Sequence, residues 1–191
     1  MPLRRVVITV ALLNLAYFGV EFGVALAIGS VSLFADSVDF LEDASINLLI
    51  AVALGWSAAR RARLGMVLAG ILLVPGLATL WTAAHKLWQP LPPAALALSL
   101  TGGGALLVNL CCALLLARHR GGSGSLTRAA FLSARNDTLA NLAIIAAGLV
   151  TARLRSAWPD LLVGLGIAVL NADAAREVWS AARAERRAAG A

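Results

Sequence analysis

The sequence predicts an all-α integral membrane protein, a bundle of six transmembrane helices with both termini in the cytoplasm. Three observations carry this. The 191 residues have a mean hydropathy of +0.84 and only 14% charged residues, where a soluble domain carries about a quarter. Six apolar segments reach the roughly 20 residues that a bilayer core requires. The basic residues gather on alternate ends of those segments.

The segments fall at about 6–29, 32–58, 64–87, 94–117, 128–151 and 158–180, separated by "GS", "ARRAR", "LWQPLPP", "RHRGGSGSLTR" and "RLRSAWP". The first could pass for a signal peptide, with two arginines ahead of an apolar run. That run is far longer than the roughly 7–15 residues of a signal core, and it contains Asn14 and Glu21. The second segment holds the stretch "ADSVDFLEDA". If its acids sat in a loop, the helix after them would be too short to span, whereas a helix from Ser32 spans comfortably, with Ser30 or Ser32 as N-cap. The fifth segment is the least apolar, because "SARND" interrupts its first half. Residues 1–184 are expected to form one transmembrane domain and residues 185–191 a short basic cytoplasmic tail. The linker "GGSGS", Gly121 to Ser125, reads as flexible.

Orientation follows from the positive-inside rule. With the N-terminus inside, the cytoplasmic ends collect Arg4, Arg5, Arg60, Arg61, Arg63, Arg118, Arg120, Arg128, Arg176, Arg183, Arg186 and Arg187. The outer ends collect only Lys86, Arg153 and Arg155. The same asymmetry accounts for the net charge of +6 and the pI near 10.9, which in a soluble chain would suggest nucleic acid. Adjacent Cys111 and Cys112 read as small packing residues, not a disulfide or a metal pair. His85 and His119 lie near loops, so no Ser/His/Asp or Cys/His set exists at membrane depth and an enzyme is not expected.

Acids inside a bilayer mark a site or a pathway, because each costs roughly 2.5–3.5 kcal/mol to insert. At 100° per residue Asp36, Asp39 and Asp43 share an arc of about 60°, with Glu42 at its edge. Asp39 and Asp43, at i and i+4, can grip one cation. Asp43 lies about 16 Å from the outer end of its helix, and Asp137 about 14 Å from the inner end of the fifth. Both reach the midplane, where transporter sites lie. Ser133 and Asn141 share the face of Asp137, and Asn136 flanks it. "DASINLLI" from Asp43 and "DTLANLAI" from Asp137 match as D-x-x-x-N-L-x-I, which makes Asn47 and Asn141 comparable supports. Asn14, Tyr17 and Glu21 line one face of the first helix. Glu21 is a candidate partner for Arg135 or a member of an ion or proton path, with Glu42 a second candidate for that path. Asn109, Asn171 and the remaining asparagines read as interhelical hydrogen-bonding groups. The small residues of "TGGGA" and "GLGIA" allow close helix packing.

These residues carry a resemblance. "GSVSLFADSVDFLEDASINL" resembles the second transmembrane helix of the cation diffusion facilitator (cation efflux) family, "FLSARNDTLANLAIIAAG" its fifth, and "WPDLLVGLGIAVL" the start of its sixth. The resemblance spans nearly the whole chain and implies a divalent-metal/proton antiporter working by alternating access. It places metal ligands at Asp39 and Asp43 on the second helix and at Asp137 on the fifth, and it puts Ser133 where the family often has His or Asp. Asn136, Asn141, Asp36 or water would then complete the shell, an oxygen-rich set that suits Mn²⁺, Fe²⁺, Co²⁺ or Cd²⁺ as well as Zn²⁺. The family's C-terminal metal-binding domain and His-rich loop are not expected here. The implied setting is a bacterial inner membrane, with the lipid bilayer, the divalent cation and protons as partners, a homodimer as the candidate assembly and no nucleic acid. Two rival readings are a membrane module that binds metal or scaffolds without transport, and a secondary transporter of a small organic cation.

Overall fold

The computed structural model describes residues 3–53, 67, 76–117 and 124–171, with the backbone alone at residues 3, 50, 52–53 and 124–136. These residues form six helices: α1 Leu3–Ile28, α2 Val31–Ala53, α3 76–88, α4 Ala95–Ala117, α5 Gly124–Leu154 and α6 Trp158–Asn171. No strand occurs among the described residues. The first part of the third expected segment, most of the cytoplasmic arginines, His119, Asp173, the end of the sixth segment and the basic tail at 185–191 lie outside them. The helix boundaries differ from expectation mainly at α5. It begins at Gly124, so the end of the "GGSGS" linker belongs to a helix.

The α1–α2 joint shows why the acidic stretch is helical. Gly29 adopts a left-handed φ of 62°, and the Ser30 amide bonds back to the Ala25 carbonyl at 3.2 Å. That is a Schellman stop, which glycine permits without strain. Ser30 then opens α2 at once, its Oγ accepting from the Leu33 amide at 3.2 Å, as an N-cap does at the third helical position. All four acids of "ADSVDFLEDA" therefore fall within α2, whose 23 residues span about 34 Å at 1.5 Å per residue.

Three stretches are long and apolar enough to cross a membrane, Arg4–Ile28, Ala95–Ala117 and Asp137–Leu154, and α6 is a shorter apolar helix. Packing runs α1 on α2, α2 on α5, α5 on α4 and α4 on α1, a closed ring of four helices. Close approach is built in with small residues. A side-chain carbon added at Gly102 would collide with Ile144 across the α4–α5 seam, and one at Gly104 with the Tyr17 hydroxyl from α1. The ring is turned inside out relative to a soluble bundle. Leu12, Leu15, Leu26, Leu107, Leu139 and Leu149 face outward, and polar side chains fill part of the interior. Trp88 and Trp158 stand exposed where α3 ends and α6 begins, as aromatic side chains do at a membrane–water interface.

Inside the ring the core is layered. Val6, Val7, Val10, Ala51, Cys112 and Leu116 form one apolar cluster. Ala25, Leu33, Phe34, Ala35, Leu98, Ile144 and Ile167 form another, toward the opposite ends of α1, α2 and α4 and reaching α5 and α6. Between them, on all four helices, lie Asn14, Tyr17, Glu21, Asp36, Asp43, Asn109 and Asn141. Helices α3 and α6 lean on the start of α2 through a third cluster of Val31, Ala83 and Leu161. Gly164 lets α6 come so close that an added Cβ would stand 2.6 Å from the Ser32 amide nitrogen.

Candidate cation site

The intermediate layer gathers the expected acids. Asp36 and Asp43 are buried, and Asp39 and Glu42 are partly exposed on the same helix. From α5, Asp137 brings its charge within electrostatic reach of Asp39, Asp43, Asp36 and Glu42. Glu42, placed at the edge of the stripe by helical phase, still stands near both Asp39 and Asp137. Among the described residues, no three carboxylate, imidazole or thiol groups converge tightly enough to hold a metal ion as they stand. The acids face a shared interior without closing on one centre.

The polar neighbours orient them. Asn141 on α5 donates from Nδ2 to Asp36 Oδ2, and its own Oδ1 accepts from Asn109 Nδ2 on α4 at 2.9 Å. Both ends of that amide are occupied, so Asn141 works as a strut tying α4 and α5 to α2. Asn14 on α1 approaches Asp43 Oδ2 with its Nδ2 at 3.5 Å, and Cys112 Sγ donates to Asn14 Oδ1 at 3.6 Å. Asn47, the counterpart of Asn141 in the repeated D-x-x-x-N-L-x-I pattern, turns back onto its own helix and donates to the Asp43 carbonyl at 2.8 Å. The two halves of the repeat thus do different work. Ser133 and Asn136 lie on the α5 backbone in the turn before Asp137, and their side chains, like that of Arg135, fall outside the described set. Cys111 is exposed, Cys112 is buried, and both are free thiols.

A second polar centre sits at the far end of α2, and the sequence reading passed over it. Asp160, in the first turn of α6, is fully buried. Its Oδ1 accepts from Ser30 Oγ at 2.6 Å, Ser32 Oγ at 2.7 Å and the Ser32 amide at 3.1 Å. Its Oδ2 accepts from the Val31 amide at 2.9 Å and from Lys86 Nζ at 2.7 Å. Lys86, expected among the outer charges, is 5% exposed and committed to this ion pair. The signal was present in the composition: Lys86 is the chain's single lysine among many arginines, and it stands at the end of the membrane that Asp160 shares.

A ring of apolar helices around a layer of carboxyls, with apolar packing beside that layer, is the kind of arrangement found in membrane proteins that move ions. Residues 7–184 match the family described as the cation efflux transmembrane domain, and the chain belongs to that family. Members of the cation efflux family are multi-pass membrane transporters of divalent metal cations, not enzymes. No curated protein matches the chain.

Proposed function

We propose that the chain exports a divalent metal cation in exchange for protons, with Asp39, Asp43 and Asp137 as the carboxylates that bind the metal. The observation that supports this best is the gathering of acids from α2 and α5, Asp43 buried and Asp39 and Asp137 partly so, in one layer beside two apolar clusters. Three carboxylates in that setting repel one another, and a dication relieves the repulsion. Protons compete for the same oxygens, so metal binding and proton binding exclude each other. The donor set is all oxygen once Ser133, Asn136 or water is added, which makes Mn²⁺, Fe²⁺, Co²⁺, Cd²⁺ and Zn²⁺ all admissible substrates. Closing the carboxylates on a metal requires α2 and α5 to shift relative to each other, the kind of motion that opens a midplane site to one side and then the other. The arginine distribution orients the chain with both termini on the cytoplasmic side.

The test is uptake of each of those five ions into proteoliposomes carrying the purified chain. Wild type is expected to move at least one of them, and Asp43→Ala and Asp137→Ala to abolish that movement while the protein still folds. Unchanged transport in either variant removes the carboxylate site. Metal binding without movement in the wild type leaves a binding module instead of a transporter.

A further inference from the structure

Helix α4 carries no acid, yet two hydrogen-bonded chains that end on acids of α2 begin on it. In one, Asn109 Nδ2 donates to Asn141 Oδ1 on α5 at 2.9 Å, and Asn141 Nδ2 donates to Asp36 Oδ2. In the other, Cys112 Sγ donates to Asn14 Oδ1 on α1 at 3.6 Å, and Asn14 Nδ2 approaches Asp43 Oδ2 at 3.5 Å. Each chain has the same order: a donor from α4, an amide from the helix between, an acid of α2. All six side chains are buried. The topology allows both chains at once. Helices α2 and α4 stand opposite each other in the ring, with α1 and α5 between them, and in a bundle that crosses the membrane at every helix they run the same way. Asn109 and Cys112 therefore follow one another along α4 in the order that Asp36 and Asp43 follow along α2. Chemistry fixes the sense of each chain. An ionised carboxylate only accepts, so each amide turns its NH₂ to the acid, and its oxygen then needs a donor from elsewhere. Helix α4 supplies that donor.

We propose, on the reading of Asp39, Asp43 and Asp137 as the metal carboxylates, that Asn14 and Cys112 are positioning residues of the cation site. Neither touches the ion. Asn14 holds one oxygen of Asp43, and Cys112 holds the amide of Asn14 in the sense that presents its NH₂. Asn109 stands in the same relation to Asp36 through Asn141. Asp39 lies between the two tethered acids, within a turn of each on the same helix. The acidic stripe is thus oriented at both ends from a helix that gives the metal no carboxylate. Groups that orient a ligand raise metal affinity by sparing the ion the cost of ordering it. Losing the thiol therefore weakens binding before it slows movement. A thiol engaged with Asn14 acts here as a hydrogen-bond donor, a role that serine can take over and a soft-metal ligand role is one that it cannot.

Titrations of the purified chain with Co²⁺ and Zn²⁺ read binding, and uptake of the same ions into proteoliposomes reads movement. Cys112→Ala removes the donor. It is expected to weaken binding and raise the half-saturating concentration for uptake by about three- to ten-fold, the worth of one hydrogen bond. The maximal rate and the thermal midpoint are expected to stay close to wild type. Cys112→Ser keeps a donor of similar size and is expected to restore most of the affinity. Asn14→Ala is expected to weaken binding about ten-fold or more, and the double variant to lose no more than Asn14→Ala alone, because Cys112 acts through Asn14. Cys111→Ala, at the exposed neighbouring thiol, is the control and should match wild type. Losses that add in the double variant, or a Cys112→Ser protein as weak as Cys112→Ala, overturn the chain and return Cys112 to packing. A sulfur-to-Co²⁺ charge-transfer band in wild type that disappears in Cys112→Ser also overturns it, by making the thiol a ligand. Wild-type affinity in Asn14→Ala overturns the positioning role while leaving the metal site intact. A wild type that binds Co²⁺ and Zn²⁺ no more tightly than Asp43→Ala overturns the metal site and the positioning together.

Discussion

The two ends of α2's buried polar surface treat their acids in opposite ways. At the helix start, Asp160 receives donors from Ser30, Val31 and Ser32 and a lysine at 2.7 Å. Within the next two turns, no donor among the described residues reaches either oxygen of Glu21, and Asp36 receives one at a single oxygen. Both regions are enclosed to the same degree, so burial alone does not distinguish structure from function. Completeness of the hydrogen bonding does. A saturated carboxylate with a fixed counter-charge has no capacity for a mobile ion and serves to hold helices together. An unsaturated group of acids is unstable by itself and becomes stable when a cation or a proton arrives.

The largest test of that difference is to remove the saturated acid. Asp160→Ala strands the Lys86 ammonium in a closed environment and exposes the first amides of α2 to apolar neighbours. A loss of about 3–5 kcal/mol is expected, the usual consequence of breaking one side of a buried ion pair, read as a fall in thermal midpoint in detergent. The double variant Lys86→Met with Asp160→Asn should recover part of it, because no charge is then stranded. If Asp160→Ala melts where wild type does, the cluster is not the clamp its geometry implies.

A smaller effect is expected from crowding the same joint without touching its charges. Gly164 packs against α2 where an added Cβ would meet Ser32 N at 2.6 Å and the Val31 carbonyl carbon at 2.6 Å. Those atoms are backbone, so neither can swing aside. Gly164→Ala should cost about 1–3 kcal/mol, as overpacking does in a tight interior, by pushing α6 and Asp160 off the helix start. Gly103→Ala is the control, since nothing lies within 4 Å of the added carbon. An equal loss in both variants would mean that helix propensity or folding yield, not this contact, is being measured.

How much of this was legible in the sequence follows from the range of each interaction. Helix placement depends on local composition, and the apolar segments, the Gly29–Ser30 break and the helical character of "ADSVDFLEDA" were all readable from neighbouring residues. The placing of Asp137 at the depth of Asp43 is a reading of the same local kind, because depth along a helix converts directly into depth in a bilayer. The Asp160 clamp joins residues more than a hundred positions apart, and nothing near Asp160 announces that Ser30 and Ser32 will meet it. The repeat containing Asn47 and Asn141 misled in another way. Equal spacing predicts equal roles, yet Asn141 faces another helix and bridges two of them, while Asn47 bonds to the carbonyl one turn back. Sequence spacing sets the face of a helix and leaves open what stands opposite.

The smallest expected effect separates the two kinds of acid most sharply, because the same chemical change should have unequal consequences. Replacing a carboxyl by its amide in the clamp, as in Asp160→Asn, puts an NH₂ group where five donors converge and removes the counter-charge of Lys86, so stability must fall. In the intermediate layer, Glu21→Gln replaces a carboxyl that no donor among the described residues reaches with an amide that supplies one. Its NH₂ can donate to Asp36 Oδ1, which has no hydrogen-bond partner among the described residues. The expected change is within about 1 kcal/mol of zero or slightly stabilising, the net worth of one hydrogen bond gained. Thermal midpoints of the two variants measured side by side in metal-free buffer decide the matter. A loss in Glu21→Gln as large as that in Asp160→Asn would show that Glu21 has a fixed partner after all, and the contrast between a saturated clamp and an ion-ready layer would fail.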